Sequence, residues 1–444
     1  MGYPKSVLYL ILALALVRGI LYAAVVPPWQ APDEPPQFER AKAALTAIDW
    51  ASDSQNPPAW YDDLAQSLFT FNFFDFLDTS RPAYSPHAPI SRYVALYQEY
   101  YGGLYSSRVT YAFIGWPLLL SNTNDITLQL YLLRLTTVLM NVVIIFLAFL
   151  ITKTIFPRDP FMILGVPIFL LFIPQHTHLL STVNNGNLAE LLATLAFYFM
   201  VKGFIKGFTW QNITLILVFS LAAMWTKATA YFLLVALGVM GIFLIWEYRR
   251  YWRWLLPTGI ILAMLAYIFA PERLKLLIPS GWALWQTKGF YLDPIVPQDL
   301  FRSFWAMPGW TILSLHPIWY TLLVTGCVLA VVGLIILIIK KWPMIRTGKY
   351  KPQIQVLTVM LVAVVASVII LLAWNGLNHS IVYRQGRSIY PVIVCISTFL
   401  LLGWRQFIPQ VWRKIGLLGL AMVVFLFDSL VLFNYIIPLF YSRY

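Results

Sequence analysis

Cysteine and charged residues are scarce in this sequence, and each scarcity excludes a class of protein. Cys327 and Cys395 are the only cysteines in 444 residues, and both fall inside apolar runs. Two lone thiols in such runs are typical of core packing rather than of a disulfide framework or a metal site. Charged residues make up 11% of the chain, against 60% hydrophobic residues. A soluble domain of this size cannot bury so much apolar surface, so the sequence predicts a polytopic membrane protein.

Acidic residues are the scarcer charged class, 18 against 31 basic residues, which gives a net charge of +13. Nucleic-acid binding requires basic residues clustered on one face. Here they lie mostly in short loops between apolar runs, as is typical of residues that set membrane topology. The sequence also lacks GxxxxGK[ST], HExxH, and a GxGxxG behind a strand. Neither a nucleic-acid partner nor a nucleotide-binding loop is therefore expected.

Apolar runs long enough to cross a bilayer dominate the chain. We interpret the first as an uncleaved span rather than a signal peptide, because Arg18 interrupts it and the preceding residues carry little charge. The expected fold is an all-α bundle, one transmembrane domain over residues 1–444, with about eleven spans. These are 6–26, 128–152, 160–180, 185–205, 210–226, 228–247, 254–271, 318–340, 355–375, 388–404 and 415–437.

The basic residues of the short loops predict the orientation of the bundle. With the N-terminus in the cytoplasm, these loops fall on the cytoplasmic side, where Asp159 and Glu247 are the only acids. Most acidic residues then lie in two long outer segments, 27–127 and 272–317. The expected location is the inner or plasma membrane of a cell, with the functional face outside.

Both long outer segments are expected to carry function and interfacial helices, because long loops in compact proteins are usually functional. In the first, Trp60, Leu64, Leu68, Phe71 and Phe74 recur at helical spacing, which predicts a helix in the outer interface. Spacing leaves open whether this helix touches lipid or packs against the bundle. The second segment is rich in aromatic residues.

The stretch WQAPDEPPQFERAKAAL, residues 29–45, sets Asp33 and Glu34 side by side where the chain leaves the first span. One interpretation is structural: Pro35 and Pro36 suit the first turn of a helix that Glu34 would cap. The other is chemical, with a carboxylate acting as a base at the outer face. The two are compatible if Glu34 caps the helix while Asp33 carries the chemistry.

Other polar residues fall at predicted outer ends of spans, on the same face as Asp33. Cations there oppose the positive-inside trend, although a single one is often explained by snorkelling to lipid headgroups. A carboxylate near several cations suits a reaction in which a base deprotonates an acceptor while the cations hold an anionic phosphate leaving group. The candidates are Asn184, Asn185, Lys227, Arg384 and Arg387.

Apart from Lys202, Glu247 and Lys340 at the cytoplasmic ends, charges within the predicted spans are few, namely Arg18, Arg134, Glu190 and Asp428. Such residues are usually functional or paired. Glu190 lies about one turn into its span and is expected to point towards the same outer cavity. For Asp428 the sequence suggests no partner.

The five histidines also fall at predicted outer ends, and His176 and His178 flank one threonine. Without a dense ligand set, this pattern is typical of polar helix ends rather than of a metal site. No metal site is predicted and no cofactor is required, although a divalent metal near Asp33 and Glu34 stays open.

Several sequence blocks, in order, resemble motifs of the GT-C superfamily of integral-membrane glycosyltransferases. Residues 32–35 are similar to its PDEP, followed by Phe38 and Arg40. VNNGNLAELLATL resembles VNNDALANLLATL, and WTKATAYFLL resembles LTKPTALLLL. FRSFWAMPGW and GRSIYP resemble SFWxxFGW and GRYLFP. The nearest group is a largely uncharacterised bacterial family related to protein O-mannosyltransferases and aminoarabinose transferases. The chain departs from it at Gly186, where the pattern has Asp, and at Ser388, where it has Tyr.

The resemblance implies an inverting glycosyltransferase that moves a sugar from a polyprenyl-phosphate carrier to an acceptor glycan, lipid or protein at the outer face. Asp33 would be the general base, and Glu34 would orient the acceptor or loop. Lys227 and Arg387, with Arg384, would hold the carrier phosphate. Substrate contacts would come from Asn184, Asn185, Trp305 and Trp310, although the two tryptophans suit interface anchoring equally.

Two alternatives stay open. The first is a non-catalytic subunit on the same fold that binds a partner complex, supported by Gly186. The second is a transporter of lipid-linked sugars, which would require paired charges deep within several helices, whereas the sequence suggests only scattered ones.

Overall fold

The structure is a computed structural model that describes residues 5–45, 60–76, 108–121, 123–249, 253, 257, 264, 268, 272–311, 313–378 and 385–441. These residues are predominantly helical and include no β-strand. In a bilayer the backbone finds no water, and an α-helix satisfies its N–H and C=O groups within one segment. The predicted all-α class is therefore confirmed.

The described α-helices are numbered here in chain order. Short 3₁₀ segments, including Ala228–Ala230 and Gly386–Val392, and one π-helical turn, Leu432–Ile436, lie between them. The helices are α1 Lys5–Val25, α2 Glu34–Leu45, α3 Trp60–Thr70, α4 Phe73–Phe76, α5 Arg108–Gly115, α6 Ile126–Ile155, α7 Pro160–Leu171, α8 Pro174–Leu180, α9 Asn185–Lys206, α10 Trp210–Thr226, α11 Phe232–Glu247, α12 Glu272–Lys288, α13 Ile295–Trp305, α14 Pro308–Thr311, α15 Pro317–Arg346, α16 Lys351–Asn378, α17 Ile393–Trp404, α18 Arg413–Val431 and α19 Ile437–Tyr441.

Eight helical segments among the described residues are long and apolar enough to cross a membrane. A ninth is present if α7 and α8, bent by 64°, form one broken span. Helix α10 is apolar but shorter, and of the predicted span 254–271 the structure describes only residues 257, 264 and 268. The chain is thus a multi-pass helical membrane protein, but the count of eleven is not confirmed. The eight segments are Ser6–Val25, Ile126–Ile155, Asn185–Lys206, Ala228–Glu247, Pro317–Arg346, Lys351–Asn378, Gly386–Phe407 and Gln410–Tyr441.

Helix α6 lies at the centre of the bundle and packs against α1, α7, α8 and α9. Its Leu130, Leu133 and Ile144 side chains are wholly buried. Helix α15, by contrast, leaves Leu322 56% and Val328 55% exposed. An apolar side chain can stay exposed on the protein surface where lipid is the solvent, so α15 is placed to face lipid.

The first and last predicted spans are joined by a buried ion pair. Arg18 on α1 donates from Nε to Oδ2 of Asp428 on α18 at 2.6 Å, and the Tyr22 hydroxyl donates to Oδ1 at 2.6 Å. Arg18 also donates to the Leu171 carbonyl, where α7 ends, and to Thr177 on α8. Asp428 therefore has the partner that the sequence did not suggest. The two residues are 410 positions apart, and no sequence pattern links them.

The helix predicted from Trp60 onwards exists as α3, and it packs against the bundle. Leu64 and Leu68 are wholly buried. Trp29, just after α1, donates from Nε1 to the Ser67 hydroxyl on α3 at 2.9 Å. The question that spacing left open is thereby answered for the described part of the loop.

Loops predicted to share the cytoplasmic face lie together. Asp159, before α7, forms ion pairs with Arg405 and Arg413, on either side of the turn before α18. Glu247, at the end of α11, pairs with Lys351, at the start of α16. The predicted grouping of these loops on one side of the bundle is consistent with these ion pairs.

Candidate functional site

Asp33 lies at the end of a tight turn that links α1 to α2. Trp29 and Asp33 both adopt left-handed backbone conformations, with φ of 71° and 66°. This region is uncommon for residues other than glycine, although aspartate enters it more readily than most. Asp33 Oδ2 accepts from Arg387 Nη2 at 2.5 Å, and the two side chains are 21% and 14% exposed. The PDEP block and the GRSIYP block, 354 residues apart, thus meet in one ion pair.

Arg387 is held in place by the contact between its 3₁₀ segment, Gly386–Val392, and α13. The Gly386 N–H donates to the Ser303 hydroxyl at 2.7 Å, and the Tyr390 hydroxyl donates to the Phe304 carbonyl at 2.7 Å. A Cβ at position 386 would collide with the backbone of α13 at Leu300 and Phe304. Only glycine permits this approach, which explains the glycine before the arginine.

One nitrogen of the Arg387 guanidinium is left without a hydrogen bond among the described residues. Nη1 is buried and has no hydrogen-bond partner among the described residues. A guanidinium presents its donors as a rigid fork, so Nη1 can bind an acceptor while Nη2 remains on Asp33.

Lys227 ends α10 beside the start of α9, and its ammonium belongs to the same electrostatic cluster. Lys227 Nζ donates to Asn184 Oδ1 at 3.3 Å. Burial and the nearby Arg387 lower the pKa of Lys227 to about 8, while Asp33 acts in the opposite direction. Charge on Lys227 is therefore sensitive both to pH and to any anion that binds near Arg387.

Asn184 and Asn185 position the end of α9 in different ways. Asn184 is the N-cap, with Oδ1 accepting from the Gly186 N–H at 2.7 Å, and its Nδ2 is buried without a partner among the described residues. The Asn185 N–H donates to Gln37 Oε1 at 3.2 Å and so joins α9 to α2. Asn184 therefore contacts the Lys227 ammonium, whereas Asn185 connects α9 to α2.

Glu34 belongs to a different environment from its neighbour Asp33. It is wholly buried, and Arg134 binds both of its oxygens, with Nε to Oε1 at 2.8 Å. Oε1 also accepts from the Val183 N–H at 3.1 Å, and Oε2 from the Trp29 N–H at 3.2 Å. Arg134 further donates to the carbonyls of Ala23, Val26 and Pro27 at 2.8, 2.6 and 3.0 Å.

These bonds correct the expectation that the Glu34 side chain caps α2. Glu34 is the first residue of that helix, and Pro35 and Pro36 stand in its first turn as predicted. Its carboxylate, however, binds a guanidinium and two N–H groups outside α2. The Glu34–Arg134 pair fixes the turn that carries Asp33 and the turn that precedes α9.

Glu190 and the two histidines of α8 form the inner side of the cluster. Glu190 Oε1 lies 2.6 Å from His176 Nε2, and the His176 ring meets the Tyr390 ring edge-on with 5.3 Å between centroids. His178 is wholly buried, and neither ring nitrogen has a partner among the described residues. The sequence analysis treated these histidines as polar helix ends. The pattern that could have singled them out is the presence of two histidines in one short polar interruption of an apolar run.

The remaining predicted site residues lie apart from this cluster or outside the described ranges. Trp305 is 4% exposed and packs edge-on against Phe169 and Phe304, with centroids 6.0 and 5.2 Å apart, so it is a core residue here. Trp310 lies in α14. Arg384 lies outside the described residues. The substrate-binding roles of Trp305 and Trp310 and the carrier-phosphate role of Arg384 stay predictions.

The metal-ligating side chains and the main apolar cavity of the described residues can each be compared with the site. Among the described residues no group of three or more His, Cys, Asp or Glu side chains is arranged to hold a metal. A cavity of about 420 Å³ lies between the ends of α11, α15 and α16, lined by Ile242, Trp246 and Ile354 among others. It is almost purely apolar, and its lining includes none of the candidate site residues, so the chemistry is argued from the polar cluster.

None of the protein-family models, curated proteins or solved structures compared with this chain matches it. The GT-C resemblance therefore stays a prediction, and a function must be inferred from the site itself.

Proposed function

We propose that the protein is an inverting glycosyltransferase that takes a sugar from a polyprenyl-phosphate carrier, with Asp33 as the general base. The supporting observation is that Asp33, Arg387 and Lys227, from three distant motifs, meet in one cluster. A carboxylate paired with one cation, and within electrostatic range of a second, provides a base beside an anion-binding site. The polar cluster on an otherwise apolar bundle suits a donor whose chain lies in lipid.

The proposed step uses each group once. An Asp33 oxygen accepts the proton of the acceptor hydroxyl, and that hydroxyl oxygen forms a bond to the anomeric carbon. The bond from this carbon to the phosphate oxygen breaks on the opposite side, which inverts the centre. The phosphate leaves with the bonding electron pair, and Arg387 Nη1 and Lys227 Nζ stabilise its charge.

Glu34 supports this step without touching the substrate. Its oxygens are already occupied by Arg134 and by the Val183 and Trp29 N–H groups. Its role is to hold the Asp33 turn against α6 and α9, so that the base keeps its position. The resemblance implied that Glu34 orients either the acceptor or the loop. Because its oxygens are occupied, we assign it to the loop alone.

The test measures sugar transfer by protein in lipid nanodiscs from a panel of polyprenyl-phosphate sugars to a cell-envelope extract. We expect the wild type to form a new glycosidic bond and Asp33→Asn to lose it. Asp63→Asn, at an exposed carboxylate on α3, is the control and should retain transfer. If the wild type transfers nothing and instead co-purifies with a complex, the non-catalytic subunit replaces the enzyme.

A transporter of lipid-linked sugars is the second candidate, and a specific observation favours it. Charges that the sequence suggested were scattered are paired between helices: Arg18 with Asp428, Arg134 with Glu34, and Glu190 with His176. Paired intramembrane charges are typical of transport pathways. Movement of the donor across a vesicle bilayer without a new glycosidic bond would support this candidate over the enzyme.

A further inference from the structure

Helix α8 carries four consecutive polar residues, of which three are bonded. Gln175 Oε1 accepts from the Met307 N–H at 2.8 Å, His176 Nε2 pairs with Glu190 at 2.6 Å, and Thr177 accepts from Arg18. His178 is the exception, since both of its nitrogens lack a partner among the described residues although the side chain is wholly buried. A buried polar group without a partner is destabilising and calls for an explanation.

The surroundings of His178 indicate what would satisfy it. Arg134 and Arg387 are the charged groups that act on its imidazole. Helix α8 packs against the 3₁₀ segment that carries Arg387 and against α6, which carries Arg134. Of these two arginines, Arg134 is fully engaged with Glu34 and carbonyl groups, whereas Arg387 retains a buried Nη1 that has no partner in the described part of the chain.

Two of the buried side-chain groups near Lys227 and Arg387 that lack partners among the described residues are hydrogen-bond donors. Arg387 Nη1 and Asn184 Nδ2 are buried without partners among the described residues, and Lys227 Nζ donates to Asn184 Oδ1 at 3.3 Å. A neutral imidazole adds one N–H donor to this set. Several donors on residues near two cations are complementary to an anion with several oxygens, which a phosphoryl group supplies.

We propose that His178 is a further ligand-binding residue, whose imidazole N–H donates to a phosphoryl oxygen of the bound donor next to Arg387. This rests on the proposed function for the identity of the donor, but the geometry itself requires only a phosphoryl group. His176, on the same helix and equally buried, uses Nε2 for its hydrogen bond to Glu190, so that only its Nδ1 lacks a partner among the described residues, and it takes no part in binding.

The experiment measures the Kd of farnesyl phosphate, and of farnesol as the phosphate-free probe, for purified full-length protein in detergent. His178→Leu should raise the Kd of farnesyl phosphate about tenfold, since one charge-assisted hydrogen bond is lost. It should leave the Kd of farnesol unchanged. His178→Gln keeps an N–H donor and should restore most of the affinity.

Thermal unfolding without ligand provides the matched control. His178→Leu removes two unsatisfied nitrogens and should keep or raise Tm. His176→Leu leaves Glu190 buried without its partner and should lower Tm while the Kd of farnesyl phosphate stays within about threefold. If His178→Leu does not fold, His178→Phe, which keeps a ring and removes both nitrogens, takes its place.

The outcomes separate this inference from the proposed function. An unchanged Kd in His178→Leu, with Arg387→Met impaired, overturns the role of His178 and leaves the carrier site standing. Lowered Tm in His178→Leu with unchanged Kd indicates a buried water partner and also overturns it. If farnesyl phosphate does not bind but inorganic phosphate binds in a manner that depends on His178, the inference stands and the proposed donor is wrong. If no phosphate compound binds, both are wrong.

Discussion

Asp33 and Glu34 are adjacent in sequence, and each pairs with an arginine, yet the two pairs differ in nearly every other respect. Glu34 and Arg134 have 0% side-chain exposure, and each binds several further groups. Asp33 and Arg387 are partly exposed, and Arg387 retains an unused nitrogen. A saturated, buried pair stabilises a scaffold, whereas a partly exposed pair with spare donors is able to bind something else.

The largest effect is expected from breaking the buried pair. Arg134→Met leaves the Glu34 carboxylate buried without its partner, which should lower the free energy of unfolding by about 3–5 kcal/mol. Arg387→Met, the matched change in the other pair, should cost about 1–2 kcal/mol, because Asp33 keeps access to water. Chemical or thermal unfolding in one detergent measures both.

A double variant sharpens this test. Glu34→Gln combined with Arg134→Met removes the buried charge but also removes acceptors for the Val183 and Trp29 N–H groups. It should therefore recover only part of the lost stability. Equal losses for Arg134→Met and Arg387→Met would contradict the division into scaffold and site.

The second effect concerns activity. Asp33→Asn keeps the shape of the side chain but removes the base, so transfer should fall by about 100-fold or more. The free energy of unfolding should change by no more than about 1–2 kcal/mol. Rates are measured with a polyprenyl-phosphate sugar, and Glu34→Gln is the comparison, since its activity should fall only in proportion to the folded fraction. A large loss of rate in folded Glu34→Gln would assign chemistry to Glu34 as well.

The third effect is a pH dependence with two opposite signs at Lys227. Its pKa of about 8 in the folded protein, below the ordinary 10.5, means that the unfolded chain binds more protons between these values. The free energy of unfolding contributed by Lys227 should thus rise with pH from about 8 to 10.5. Affinity for a prenyl phosphate should fall over the same window, because the ammonium loses its charge.

Lys227→Arg is the control for this prediction, because its guanidinium stays charged throughout. Both pH dependences should disappear in that variant, as measured by unfolding without ligand and by Kd from pH 7 to 10. If affinity for the phosphate stays constant in the wild type across the window, Lys227 does not contact the ligand.

The sequence predicted on which face of the membrane the site residues lie, but not which of them are in contact. A bilayer places the outer ends of spans on one face, so Asp33, Asn184, Lys227 and Arg387 could be assigned to a common side from topology alone. Which of them touch depends on lateral packing of helices that are far apart in sequence, and the Asp33–Arg387 pair spans 354 residues. Apolar runs predicted most of the helices, because a helix that crosses a bilayer must be apolar along its length. The bend between α7 and α8 was not predicted, because the apolar run 160–180 continues through it.

The different fates of neighbouring residues were beyond sequence reasoning. Asp33 and Glu34 diverge because the backbone turns through φ of 66° at Asp33, which sends the two carboxylates to different partners. Likewise His176 and His178, two positions apart on α8, meet different surroundings. The sequence predicts that a polar side chain near a helix end forms hydrogen bonds, but it does not predict which residue is the partner.

The smallest effect is expected at Gly186, where the chain departs from the resembling pattern. A Cβ there would lie 2.9 Å from both Asn184 Oδ1 and Lys227 Nζ. Both atoms are ends of side chains and can shift, so Gly186→Ala should change the free energy of unfolding by less than about 0.5 kcal/mol. Displacing the Lys227 ammonium should weaken prenyl-phosphate binding by about two- to fivefold.

Gly186→Asp would place a carboxylate beside Lys227 and raise the pKa of that ammonium, so the loss of affinity above pH 8 should move to higher pH. If Gly186→Asp leaves that midpoint unchanged, Lys227 does not set the pH dependence of phosphate binding.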